Sequence, residues 1–210
     1  MYAIPLGVDG AELGPLEPWQ AEELLVHMDR GREYIGRFVP LPEVNKDLPS
    51  ARAWLQVYAD GAAADTRRLW GIRLDGTLVG GVLFRVFDTE RGVCEAGCWL
   101  EPSAAGKGLV TRACEVIIDW AVERRGMHRV EWHVDPENTA SVNVAKRLGM
   151  TREARLREVD VHRGARRDVE IWAVLAPEWR EHRRTAEHRG TGEHRRTGGG
   201  TDPVAGGGRA

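Results

Sequence analysis

The chain is poor in cysteine and lysine, has no long apolar run and carries almost no net charge, and each shortage excludes something. Its three cysteines, Cys94, Cys98 and Cys114, cannot all pair within one chain. Cys94 and Cys98 share one strand-like run, where a mutual bridge is geometrically implausible. No Cys-x-x-Cys and no paired histidine accompanies them, so they read as buried thiols of a reducing compartment rather than metal ligands. No stretch approaches the roughly eighteen apolar residues of a membrane span, and the start lacks the basic-then-apolar order of a secretion signal. With 30 basic residues against 32 acidic ones, the net charge of −2 shows none of the basic excess of a dedicated nucleic-acid binder. A cytoplasmic protein without metal, nucleic acid or membrane partner is the expectation.

What is present is unevenly spread over the 210 residues. Only Lys46, Lys107 and Lys146 are lysines; every other basic side chain is Arg. Residues 180–210 hold seven Arg, four acids and eight Gly, and Val204 is their only apolar residue larger than Ala. Removing them leaves 1–179 with a charge of −5. The segment from Glu181 repeats a Glu-His-Arg pattern at Glu187 and Glu193. Such a polar repeat cannot offset its ordering entropy by burial, so residues 180–210 are expected to be a low-complexity tail without regular structure. His182, His188 and His194 in it are assigned no chemistry.

The body alternates helical and strand-like patterns. Ala11 to Leu16 reads as a strand. Pro18 suits the first turn of a helix with Ala21, Leu24, Leu25 and Met28 on one face, which Gly31 should end. Residues 32–48 read as a lid or loop, and Ser50 as the cap of a second helix bearing Trp54, Val57 and Tyr58. Strands follow at Leu69–Leu74, Leu78–Phe87 and Val93–Leu100, with Asp75-Gly76 as a hairpin turn. A long helix from Leu109 to Arg125 stops at Gly126. A strand over Arg129–Val134, an Asn138-capped helix stopping at Gly149, and strands near 151–161 and 166–175 complete an α+β order: a mixed sheet covered by helices.

Chemistry concentrates between Val93 and Gly149. After the strand ending at Leu100, Gly106 and Gly108 let the backbone approach a ligand closely. The helix that follows directs the free amides of Lys107, Gly108, Leu109, Val110 and Thr111 outward, an anion site suited to a pyrophosphate. The spacing is neither that of a Walker loop nor that of a dinucleotide-binding fingerprint.

Together, Glu95–Leu100, Gly106–Thr111 and Asn138-Thr139-Ala140-Ser141, closed by Leu148-Gly149-Met150, resemble the GNAT family of N-acyltransferases. More narrowly they resemble its ribosomal-protein N-terminal acetyltransferase (RimJ/RimL-like) branch. The resemblance covers nearly all of 1–179. It implies a mainly antiparallel mixed sheet flanked by helices, and acetyl-CoA or another acyl-CoA as donor. It implies that the pantetheine pairs like an extra strand along Cys98, Trp99 and Leu100. The pyrophosphate would rest on Gly106–Thr111, and Asn138 and Ser141 would face the thioester from the other side. A homodimer is compatible with it. Ser103 stands where the family carries Gln or Arg, which removes a side-chain phosphate contact but leaves the amide cradle.

Acyl transfer from a thioester needs a neutral amine, a place for the oxyanion and a proton for the thiolate. Many family members supply that proton from a Tyr at the position of Ala145, so Ser141 is the substitute candidate here; a plain backbone contact at the helix start explains it equally well. For the base, Glu95 ranks first, in the strand leading to the thioester. Glu158, with Asp160 beside it, ranks second, and His133, near neutral in its usual titration, third. Structural roles in the sheet or on a solvated hairpin are open for all three. Arg32, Arg37, Tyr34, Phe38, Trp54 and Tyr58 are pocket candidates, with Arg a hint of succinyl rather than acetyl. Lys107, Lys146 and Arg147 are candidates for phosphate contact. The acceptor is expected to be a peptide or protein α-amine, or a small amine. An antibiotic-modifying transferase on the same fold and a non-catalytic acyl-CoA sensor are the alternatives.

Overall fold

The computed structural model describes residues 3–194. Eight strands form one sheet in the order β1-β2-β3-β4-β5-β6-β8-β7. They are β1 (Ile4–Pro5), β2 (Ala11–Pro15), β3 (Arg68–Leu74), β4 (Thr77–Asp88), β5 (Val93–Leu100), β6 (Arg129–Val134), β7 (Thr151–His162) and β8 (Ala165–Leu175). Every neighbouring pair is antiparallel except β5 and β6. Both two-residue hairpin turns, β3–β4 and β7–β8, are glycine-assisted: Asp75 and Gly76, and again Arg163 and Gly164, have positive φ, the backbone that such twisted hairpins require.

Helices cover both faces. On one side lie α1 (Ala21–Ile35), the short α2 (Leu41–Val44) and α3 (Leu48–Ala63), sealing a core of Leu16, Leu24, Met28, Leu55, Leu78 and Trp99. On the other, α4 (Leu109–Asp119), α5 (Thr139–Arg147) and α6 (Ala176–His194) cover a larger core that includes Phe84, Cys94, Ala96, Ile117, Trp132 and Trp179. All three cysteines are free thiols.

Four local expectations are corrected. First, α1 runs through Gly31 to Ile35 and is capped by Gly36, because Gly31 is a contact rather than a stop: a Cβ there would lie 3.0 Å from Ile35 and 3.6 Å from the Glu101 Cβ. Second, residues 32–48 are not a loop, since they finish α1, form α2 and begin α3. Arg32 holds this corner with bonds from Nη1 to the carbonyls of Pro42 (3.0 Å) and Asn45 (3.2 Å). Third, Asp47 rather than Ser50 caps α3. Ser50 donates its backbone N–H to Asp47 Oδ1 (2.9 Å), and Asp47 returns its own to Ser50 Oγ (3.1 Å), a reciprocal capping box. Fourth, α4 ends at Asp119, and Trp120–Arg124 widen into a π-helical turn. There Trp120 packs against Trp70, Phe84 and Phe87, and a wide turn re-aims a side chain that a regular helix would misplace.

The boundary read at residue 179 falls inside α6, which continues to His194. Fully buried Trp179 donates to Asp119 Oδ1 (2.8 Å), Arg180 pairs with Glu123, and Arg183 reaches Glu115 and Asp119. Those side chains tie a polar helix to α4 and the turn after it, a source of order that a repeat's composition does not reveal. Residues 195–210, including the end of the third repeat, lie outside the described residues.

Candidate active site

The site is built where the one parallel strand pair comes apart. β5 and β6 pair only from Val93 opposite Arg129 to Ala96 opposite Trp132. Beyond that point Gly97–Leu100 stay with β4, while His133 and Val134 follow β8. The edge of Gly97–Leu100 that faces β6 therefore has no strand partner among the described residues. Its unpaired peptide groups are a template for an extended, amide-bearing ligand. Strand alternation sorts the side chains at this opening. Cys94, Ala96, Cys98 and Leu100 pack toward α4, and Trp99 packs toward α1 and α3. Burial pushes the Cys98 thiol up to about 12 and Cys114 well above its usual range, so neither supplies a thiolate.

Below the strand end, Gly106 (φ 79°) and Gly108 (φ 73°) take left-handed backbone that only glycine adopts without strain. A Cβ on Gly106 would meet nothing within 4 Å, so the turn borders open space. Gly108 is the N-cap of α4, and the first helical bond runs from the Arg112 amide to Gly108 O (3.1 Å). The amides of Leu109, Val110 and Thr111 are those that a helix start leaves unpaired. Buried Leu109 and Val110 pin the turn to the core, and Lys107 is exposed beside it. Arg112, which sequence reading did not single out, lies beside Gly108: a Cβ there would be 3.9 Å from its Nε. A turn of this form fits a diphosphate: amides, a helix dipole, cations and unfilled space.

On the α4 side, Asn138 caps α5 by accepting the Ser141 amide on Oδ1 (3.2 Å), which leaves its NH₂ group for other partners. Half-buried Ser141 accepts a hydrogen bond on Oγ from Trp132 Nε1 (3.0 Å). An indole N–H can only donate, so the serine is fixed as acceptor toward Trp132 and its own proton points elsewhere. Trp132 was invisible to sequence reading, because nothing local links a strand residue to a hydroxyl nine positions on. Ala145 is fully buried under α4, which leaves no room there for a tyrosine ring.

On the opposite face, β5 and β6 bring Glu95, Glu131 and His133 together. Glu95 is ion-paired with Arg85 and lies 3.6 Å from His133 Nδ1, whose Nε2 is 3.0 Å from Glu131 Oε2. Burial pushes the Glu131 carboxyl up, but hydrogen bonds from Arg129 and His133 outweigh it and hold that carboxyl below its usual range. Glu158 is placed apart from this cluster. It is exposed on a β7 bulge with positive φ, its N–H bound to Asp168 Oδ1 and its carbonyl to Arg166. Asp160 is likewise exposed on the hairpin.

The pocket candidates divide too. Arg32 is occupied by the α1–α2 corner, Arg37 is exposed over Phe38, and Tyr34 is exposed. Trp54 meets Trp99 edge-on at 6.0 Å and Tyr58 at 4.8 Å, so that pair does line the interior beside β5. Lys146 and Arg147 are exposed in the last turn of α5. Among the described residues no helix is long and apolar enough to cross a membrane. No group of three or more His, Cys, Asp or Glu among them is arranged to hold a metal ion.

Residues 12–151 match the family described as "Acetyltransferase (GNAT) domain". A Bacillus subtilis (strain 168) protein named "Putative ribosomal N-acetyltransferase YdaF" is 27% identical over 169 residues, 78% of this chain and 90% of that protein. Among solved structures, the RimL ribosomal L7/L12 α-N-protein acetyltransferase in complex with coenzyme A superposes with a TM-score of 0.78 at 18% identity, over 83% of this chain and 98% of that one. Mycobacterium smegmatis RimJ in complex with CoA-disulfide gives 0.74 at 25% identity, over 83% and 85%.

Proposed function

The chain belongs to the GNAT acetyltransferase family and is an acetyl-CoA-dependent N-acetyltransferase, and from that premise we propose that its acceptor is the α-amine of a peptide or protein. The observation that carries the proposal is the sidedness of the opening between β5 and β6. The donor-side hydroxyl, Ser141 of α5, sits with Trp132 on the face that α4 and α5 cover, and the proton acceptor, Glu95, sits with His133 on the face toward α1 and α3. An α-amine of pKa near 8 is already about 10–20% neutral at pH 7, whereas a lysine side chain near 10.4 is only about 0.04% neutral. Glu95, held between Arg85 and His133, is placed to take the proton of an amine that is already partly neutral. The relatives named for ribosomal N-acetylation, and L7/L12 α-N-acetylation in the solved neighbour, agree with that acceptor class.

In this reading the Gly97–Leu100 edge and the amides of residues 107–111 hold the donor, with the NH₂ of Asn138 facing it. The acceptor nitrogen approaches from the Glu95 side and bonds to the thioester carbonyl carbon as the carbon–sulfur bond breaks. Glu95, beside His133, takes the ammonium proton, directly or through water, and releases it to solvent. Ser141, held as acceptor by Trp132, donates a hydrogen bond to the departing sulfur, and the thiolate takes its proton from solvent through that hydroxyl. Glu158 has no part in these transfers.

The test is free-thiol release from acetyl-CoA across peptides with free N termini, α-blocked peptides containing lysine, and small amines. Turnover of the free-N-terminal peptides, reduced about 100-fold by Glu95→Gln, is expected. Turnover of blocked lysine peptides alone would overturn the acceptor assignment.

A further inference from the structure

The acyl transfer leaves one buried polar cluster unused, at the base of α1. Glu101, the residue after β5, is 5% exposed, yet it accepts hydrogen bonds from three directions. Ser103 Oγ donates to Oε1 (2.6 Å), while His27 Nδ1 and Arg30 Nε donate to Oε2, both at 3.0 Å. Arg30 also bonds the carbonyl of Leu78 in β4. His27 is fully buried, and its second nitrogen, Nε2, meets Trp99 Nε1 at 3.0 Å. Because the indole is a donor only, Nε2 must accept, which assigns the imidazole proton to Nδ1 and makes His27 neutral.

We infer that Glu101 and His27 are positioning residues for the acyl-CoA site, locking its two halves, the Gly97–Leu100 edge and the turn at residues 103–108, into one register. The inference rests on the acyl-CoA reading of that turn. Trp99 belongs to the unpaired strand edge, and Ser103 belongs to the turn. A single imidazole on α1 reaches both, directly through Nε2 and by way of Glu101 through Nδ1. Ser103, in the position that lacks the family's long phosphate-contacting side chain, tethers the turn to this carboxylate instead.

The charged groups facing His27 are Glu101 beyond β5 and Arg30 on its own helix; β4 contributes the Leu78 carbonyl and β5 the Trp99 indole. Burial lowers the His27 titration, more than Glu101 raises it. The neutral arrangement therefore holds above the ordinary imidazole range and is lost as pH falls through the lowered native value. A second proton would place an N–H on Nε2 directly against the Trp99 N–H, and the Trp99–His27–Glu101 chain would open.

The measurement is acetyl-CoA affinity of the full chain by calorimetry at pH 7.5, with KM and kcat alongside. His27→Ala should weaken binding about tenfold at pH 7.5, the loss of one or two net hydrogen bonds. His27→Gln keeps one acceptor and one donor and should recover most of that loss. Ser103→Ala, on the exposed turn, should raise the acetyl-CoA KM more than it lowers kcat, and it serves if His27→Ala does not fold. Unaltered affinity in a folded His27→Ala, no recovery in His27→Gln, or Ser103→Ala with unaltered KM overturns the inference. Failure of the wild-type chain to bind acetyl-CoA at pH 7.5 would instead overturn the acyl-CoA reading and this inference with it.

Discussion

At the scale of single residues, the chemistry depends on partners that fix a proton's direction. Ser141 has one proton and Trp132 decides where it points. Ser141→Ala should lower kcat about 100-fold, at the small end of what a positioned acid contributes. Trp132→Phe keeps the ring's packing and removes only the N–H. It should lower kcat about fivefold, the worth of one net hydrogen bond, with little change in acetyl-CoA KM. Steady-state kinetics on a fast peptide acceptor check both, and a wild-type kcat in Ser141→Ala would return that serine to a plain helix-start role. Ser141 was visible in sequence as part of an Asn-x-x-Ser start, but Trp132 was not. The same holds for Glu95: its strand and face followed from alternation, whereas Arg85 and His133 as its partners did not.

At the scale of elements, the start of α4 is the most legible feature of the molecule. Two glycines separated by one residue, a helix pattern beginning at once and buried Leu109 and Val110 all act locally, so sequence alone places them. Gly106→Ala and Gly106→Glu separate shape from charge there. The alanine variant carries the left-handed strain, about 1–2 kcal/mol. The glutamate adds a carboxylate in the open space where a phosphate would rest, and should bind acetyl-CoA about tenfold more weakly still. Equal affinities for the two variants, read by calorimetry, would place the diphosphate elsewhere. Elements whose ends depend on distant contacts were less legible. Gly31 carries the same local signal as a stop, yet α1 continues because Glu101 and Ile35 fill its flank. The π-helical turn at Trp120 is set by aromatic neighbours on β3 and β4.

At the scale of the whole molecule, α6 shows how an arginine-rich, weakly apolar segment is held. One buried ring, Trp179, and the ion pairs of Arg180 and Arg183 join it to α4 and the turn that follows. Trp179→Ala should cost about 3–5 kcal/mol, as large aromatic truncations in cores do. For a chain of this size that corresponds to a melting point lower by about 10 °C. A thermal melt with unchanged midpoint would mean that α6 contributes nothing to the fold. The two cores on opposite faces of one sheet also explain why donor and acceptor chemistry stay apart: each face has its own helices, and the sheet opens between them where β5 and β6 separate.

The sequence by itself determined the order of elements apart from β1, α2 and α6, together with the glycine turns, the outward amides of α4 and the family to which they belong, because each depends on residues a few positions apart. Periodicity, capping and left-handed backbone are local physics. Only the tertiary structure decided which side chains complete the site. His27 meets Glu101 across 74 residues and Trp99 across 72, and Glu95 faces His133 from a neighbouring strand. Such pairings arise from sheet register and helix placement, and burial then makes them obligatory, since a polar group removed from water must find its partner inside the fold.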